Sequence, residues 1–234
     1  MASKGIELDI ADTIMERPQA FTVAGRRFCL HKVTLGKSYL LFRLMEELGV
    51  DAKIVKANPY MEALRLCREK KDIVCRLLAY HTMDSKEELL DSKAVDERSS
   101  FFNKKLTEEE MAQLLSMTLA GDRTEDFIKH FGIDRDREEL TRISSVKSKN
   151  GNTVTFGGRS IYGFIDYFCE RYGWTMEYVV WGIGYVNLQM LKADAVTSVY
   201  LTDKEKKETG IDWWHKAVSA DDPANATRIM EMFK

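Results

Sequence analysis

The hydrophobic pattern changes period along the chain. In FTVAGRRFCLHKV, from Phe21 to Val33, apolar residues alternate with polar or small ones: Phe21 with Val23, then Phe28 with Leu30. Gly25 lies between the two runs, and period two on either side of a glycine predicts a β-hairpin with a short turn. Beyond it the spacing is helical. Leu35, Tyr39, Phe42, Met45 and Leu48 mark the inward stripe of a helix capped by Thr34 and stopped by Gly49. Asn58-Pro59 opens a long helix whose stripe runs Met61, Leu64, Cys67, Val74, Leu77, Leu78 and His81. Ser85–Glu88, Thr107–Glu110 and Thr202–Glu205 have capping-box spacing, and the second opens a helix facing Met111, Leu114, Leu115 and Leu119 inward. A helix over 123–131 stops at Gly132, and a charged, solvent-facing one covers 134–142. Residues 144–158 read as a loop with a short strand, Thr153 to Phe156. Ser160 then caps a helix with Ile161, Phe164, Ile165, Phe168 and Tyr172 on one face, ended by a left-handed Gly173.

Thr175 caps the next helix, over 176–200. In YGWTMEYVVWGIGYVNLQML it is apolar on nearly every side, which predicts burial on every side and places Trp181 in the core. Gly182 and Gly184 each cost a helix interior about 1 kcal/mol relative to Ala. Close approach of a neighbouring helix would offset that cost, while Asn187 and Gln189 need hydrogen-bond partners. Between Glu177 and Lys192 lie fourteen uncharged residues, short of the roughly 20 apolar residues of a membrane span. Near the end of the chain Trp213 and Trp214 are adjacent. Asp222-Pro223 opens an amphipathic helix with Ala226, Ile229, Met230 and Phe233 on one face. Trp213, Trp214, Ile229, Met230 and Phe233 are the candidate contacts to a partner or a second copy.

The expected fold class is therefore mainly α, with a small N-terminal β-hairpin. Residues 1–20 read as a flexible arm and 21–91 as the hairpin plus helices. Periodicity fades over 92–106, which reads as a linker. Residues 107–234 read as a helical region built around the 160–200 helix pair. Three prolines in 234 residues fit such a fold, and eleven methionines add adaptable apolar surface.

Charge and cysteine usage narrow the function classes. A net charge of −2 lacks the basic excess of a dedicated nucleic-acid binder. The start, MASKGIELDI, has no apolar stretch of the kind that directs export. Cys29, Cys67, Cys75 and Cys169 have no CxxC spacing, so free thiols in a reducing cytoplasm are expected. Cys29 and His31 share one hairpin face, but two further zinc ligands would have to come from afar. Gly157-Gly158-Arg159-Ser160 opens a helix without the lysine or spacing of a phosphate loop. Glu108, Glu109 and Glu110 suit a helix first turn without any catalytic role. No metal, cofactor or catalytic residue is assigned.

Two stretches carry a resemblance. FTVAGRRFCLHKVTLGKSYLLFRLMEEL, and YGWTMEYVVWGIGYVNLQMLKAD with the helix before it, resemble tail-assembly chaperones of long-tailed bacteriophages and prophages of the kind found in gut Bacteroidetes. The resemblance implies a non-enzymatic protein of the bacterial host cytoplasm. It implies binding to the tape-measure protein, or other tail proteins, while the tail tube polymerises; a homo-oligomer is a further expected partner, its size left open. No membrane or nucleic-acid contact is expected, given the short uncharged run and the net charge of −2. Three other classes fit the same pattern: a structural phage protein retained in the virion, a small helical regulator using the 142–159 segment on nucleic acid, and an enzyme whose residues assemble only in the fold.

Overall fold

The computed structural model describes residues 2–121, 123–151, 158 and 160–210. Among them the protein is mainly α, with a single two-stranded antiparallel hairpin near the N-terminus. The chain divides into two compact units, Met1–Phe131 with Gly157–Ala195, and Gly132–Phe156 with Val196–Lys234. No helix among the described residues is long and apolar enough to cross a membrane.

The first unit begins with α1 (Ala2–Ile14), where the pattern predicted an irregular arm. Its half-buried residues are Ile6, Asp9, Ile10, Ala11 and Thr13, and the polar Asp9 and Thr13 among them conceal the apolar period. The hairpin pairs β1 (Gln19–Val23) with β2 (Arg26–Leu30), Phe21 opposite Phe28. Its two turn residues, Ala24 and Gly25, both have positive φ, at 46° and 78°, as a turn matching the twist of the strands requires. Helix α2 (Leu35–Leu48) starts where the Thr34 hydroxyl accepts the Lys37 N–H at 3.2 Å and stops at Gly49, φ 60°. A short α3 (Ala52–Ala57), capped by Asp51, follows.

The expected long helix is two, α4 (Pro59–Glu69) and α5 (Lys71–His81). The break falls at Lys70, inside five consecutive charged residues (Arg68 to Asp72) with no apolar side chain to hold the helix straight. After α6 (Lys86–Leu90) comes α7 (Ser92–Lys105), which corrects the linker reading of 92–106. Its buried stripe is Val95 and Phe102, with Arg98 and Ser99 half-buried between them. Arg98 donates to the Thr82 carbonyl at 2.7 Å, so a charged residue fills an inward position and conceals the period. Helix α8 (Glu108–Leu119) begins on the complete Thr107/Glu110 capping box. Then come α9 (Thr124–Phe131) and, within the second unit, α10 (Ile133–Lys149).

Helix α11 (Ile161–Tyr172) ends at left-handed Gly173, φ 67°. Trp174 folds back and stacks on Tyr172, ring centroids 4.7 Å apart. The expected continuous 176–200 helix is interrupted. A π-helical turn, Tyr178–Gly182, leads to an extended Ile183, and α12 (Tyr185–Ala193) restarts beyond it. The glycines mark this break rather than a helix crossing. A Cβ at Gly182 would lie 2.3 Å from the Tyr178 ring, and Gly184 bridges to Thr34. Trp181, expected in the core, is half-buried and lies over Gly36, where a Cβ would meet its ring at 2.6 Å.

In the second unit, helix rather than loop reaches Lys149, with Ile133 and Ile143 buried. It packs with α13 (Asp203–Thr209), which opens on the complete Thr202/Glu205 capping box. Lys147 lies 3.7 Å from the buried Glu205 carboxylate. The strand expected over Thr153 to Phe156 lies outside the described residues.

Candidate interaction groove

Helix α2 carries apolar residues on two faces. Leu35, Leu41, Leu44 and Leu48 are buried, whereas Tyr39 and Phe42, 57% and 59% exposed, point to solvent. The expected inward stripe thus took the wrong phase at these two positions. Helix α5 runs antiparallel beside α2. Lys37 Nζ, near the start of α2, donates to Met83 O at 2.6 Å, just past the end of α5. Lys70 Nζ, at the start of α5, donates to Leu48 O at 3.1 Å, at the end of α2.

Between the two helices lies an open groove of about 600 Å³ with Leu40 and Ile73 among its lining residues. Each wall supplies three residues at i, i+4 and i+8: Tyr39, Arg43 and Glu47 from α2, and Asp72, Arg76 and Tyr80 from α5. Because the helices are antiparallel, these fall into three rungs. Tyr39 lies across from Tyr80, Arg43 from Arg76, and Glu47 from Asp72. The groove is aromatic at one end, basic in the middle and acidic at the other end. Arg76 also lies 3.3 Å from Asp96, and Asp72 accepts from the Asn103 amide.

Below the groove the titratable groups are structural. Lys37 is fully buried; desolvation pulls its pKa down to about 8, and its ammonium is held by Met83 O and, at 3.0 Å, Lys32 O. Complete enclosure keeps any substrate carbonyl from this amine. Burial holds His81 down at about 3, so its imidazole is neutral at ordinary pH. His31 Nδ1 is 3.7 Å from Asp84 Oδ1, yet burial outweighs that carboxylate and lowers its pKa. Buried Glu62 accepts from Arg65 Nη2 at 2.6 Å and from Asp51 N–H at 2.8 Å, and the Arg65 bond keeps it below the usual carboxylate range. Burial pushes Cys67 up to about 12 and Cys75 up to about 11, so neither supplies a thiolate near neutral pH.

A second polar network holds the break at 182–184. Glu16 accepts from Lys32 Nζ, from Gly184 N–H at 2.6 Å and from Asn187 Nδ2 at 3.2 Å. Lys32 also donates to Gly182 O at 2.8 Å. These contacts supply the partner that Asn187 required. Gln189 meets the Thr124 hydroxyl at 3.0 Å.

Of the residues singled out from sequence, Trp213, Trp214, Ile229, Met230 and Phe233 lie outside the described residues. Cys29 and His31 are both half-buried on the hairpin. Among the described residues no group of three or more His, Cys, Asp or Glu side chains is placed to hold a metal ion. Sequence reasoning missed the groove. Its signal was present as two Tyr/Arg/acid triplets at four-residue spacing, in opposite order on two helices, but only their antiparallel pairing gives it meaning. No protein-family model, curated protein or solved structure matches this chain.

Proposed function

We propose that this protein is a non-enzymatic assembly chaperone of a long-tailed phage or prophage, acting in the bacterial host cytoplasm on the tape-measure protein. The observation that carries the reading is the second apolar face of α2. Tyr39 and Phe42 stand exposed beside an open groove. They belong to the hairpin-and-helix stretch that resembles such chaperones. An amphipathic client helix lays its apolar side into a groove of this kind, with a few large side chains as anchors.

The test is co-expression with a phage tape-measure protein, the client this reading implies. The expected result is that this chain keeps that protein in the soluble fraction and copurifies with it, and that Phe42→Asp abolishes both effects while circular dichroism stays unchanged. A tape-measure protein that aggregates equally with and without this chain would overturn the reading. Recovery of the chain in purified virions would turn it toward a structural component.

A further inference from the structure

The charge order in the groove between α2 and α5 determines how it can be covered. We infer that, in the free protein, a second copy of the chain covers this groove through a two-fold axis lying in the contact plane and perpendicular to the two helices.

The argument starts from the rungs. The four charged residues sum to zero, with Arg43 and Arg76 on one rung and Glu47 and Asp72 on the next. Four residues of helix separate them, about 6 Å. Neither Arg43 nor Glu47 has an ion-pair partner among the described residues. When two copies of this face meet, the axis has two simple orientations. An axis along the helices lays α2 over α5 of the other copy without reversing direction, so arginine meets arginine and acid meets acid. An axis across the helices lays α2 over α2 and α5 over α5, each reversed. With the axis midway between the arginine and acid rungs, Arg43 faces Glu47 of the second copy and Arg76 faces Asp72, and symmetry repeats both pairs. Only the second arrangement is complementary, and an isologous contact demands self-complementarity of this kind. Leu40 and Leu44 of the α2 wall, between the rungs, lie within the same contact. This inference goes beyond the chaperone reading and does not depend on which client is bound. Where a client takes the same face, client and second copy compete.

The experiment is sedimentation of the full chain alone, at low and high salt. The expected mass at low salt is twice the 27.0 kDa of one chain, falling toward one chain as salt rises. Arg43→Glu places like charges opposite each other at two related positions, and so does Glu47→Arg. Each is expected to weaken association by at least about tenfold. The double variant Arg43→Glu/Glu47→Arg inverts the pattern and restores its complementarity, so its mass returns to that of the dimer. All four charged side chains of the rungs lie at the surface or half-buried, so folding survives these changes, and circular dichroism verifies it. A monomeric wild-type chain overturns the inference. So does a dimer that both single variants leave intact, or a double variant that stays monomeric.

Discussion

The first unit holds two hydrophobic clusters built on different principles. One is largely aliphatic and spans the hairpin and α2 to α8, with Leu48, Leu66, Leu77, Leu78, Met83 and Leu115 essentially inaccessible. The other is aromatic and smaller. It gathers Phe164, Tyr167, Phe168, Tyr172, Trp174 and Tyr185 around α11 and α12. The aliphatic cluster is covered by regular helices whose caps lie next to them in sequence. The aromatic one closes around a π-helical turn and an extended residue, held by Glu16 from a distant part of the chain. Flexible aliphatic chains fill space between straight helices at high density. Large flat rings impose their own stacking geometry, and here the backbone bends to meet it. Helix α2 joins the two, giving Leu35 to the aromatic cluster and Leu41, Leu44 and Leu48 to the aliphatic one. Trp181 crosses in the other direction, packing on the aliphatic cluster between neighbours that belong to the aromatic one.

The largest effect is expected where the aliphatic cluster meets α7. Phe102 is fully buried, with its ring 5.0 Å from that of Phe28. Phe102→Ala should cost about 3–5 kcal/mol of unfolding free energy, read from denaturant midpoints. A midpoint within error of wild type would return α7 to the linker role.

Lys37 tests the polar seam. Its folded pKa of about 8 lies below the ordinary 10.5, so the folded chain releases this proton first as pH rises. Between pH 8 and 10.5 the unfolded chain binds more protons at this site, and stability attributable to Lys37 therefore rises with pH, by at most about 3 kcal/mol. It is lost again as pH falls through 8. Wild-type chain and Lys37→Met, titrated side by side in urea, should differ by this slope; parallel curves would show the amine to be hydrated.

Gly36 tests the interlock. A methyl group there would strike the Trp181 ring at 2.6 Å. Gly36→Ala should destabilise by about 1–3 kcal/mol through overpacking. With Trp181 already replaced by Leu, the same change should cost markedly less, and additive costs in this double-mutant cycle would separate the two residues.

The smallest effect belongs to the aromatic cluster itself. Among the described residues the buried Tyr167 hydroxyl has no hydrogen-bond partner. Removing an unsatisfied group relieves a desolvation cost of roughly 1–3 kcal/mol at most. Tyr167→Phe should therefore leave the thermal midpoint unchanged or raise it; a clear fall would reveal a partner for the phenol in solution.

The features legible in the amino-acid pattern are local ones. The hairpin follows from alternation around Gly25, and the helix starts at Thr34, Asn58, Thr107 and Thr202 follow from capping needs met within three residues. The left-handed stops at Gly49, Gly132 and Gly173 are equally local, because only the adjoining turn decides them. Tertiary structure decided what depends on distant residues. Helix α2 has two apolar faces, and its neighbours chose the one with Leu41, Leu44 and Leu48, leaving Tyr39 and Phe42 outside. In α7, Arg98 fills an inward position because the Thr82 carbonyl receives it. The break at Ile183 exists because Glu16, Lys32 and Thr34 satisfy a backbone that no longer bonds to itself. The groove belongs to this second kind. Its six rung residues lie on α2 and α5, separated in sequence by two intervening helices, and only antiparallel packing sets tyrosine across from tyrosine, arginine across from arginine and acid across from acid.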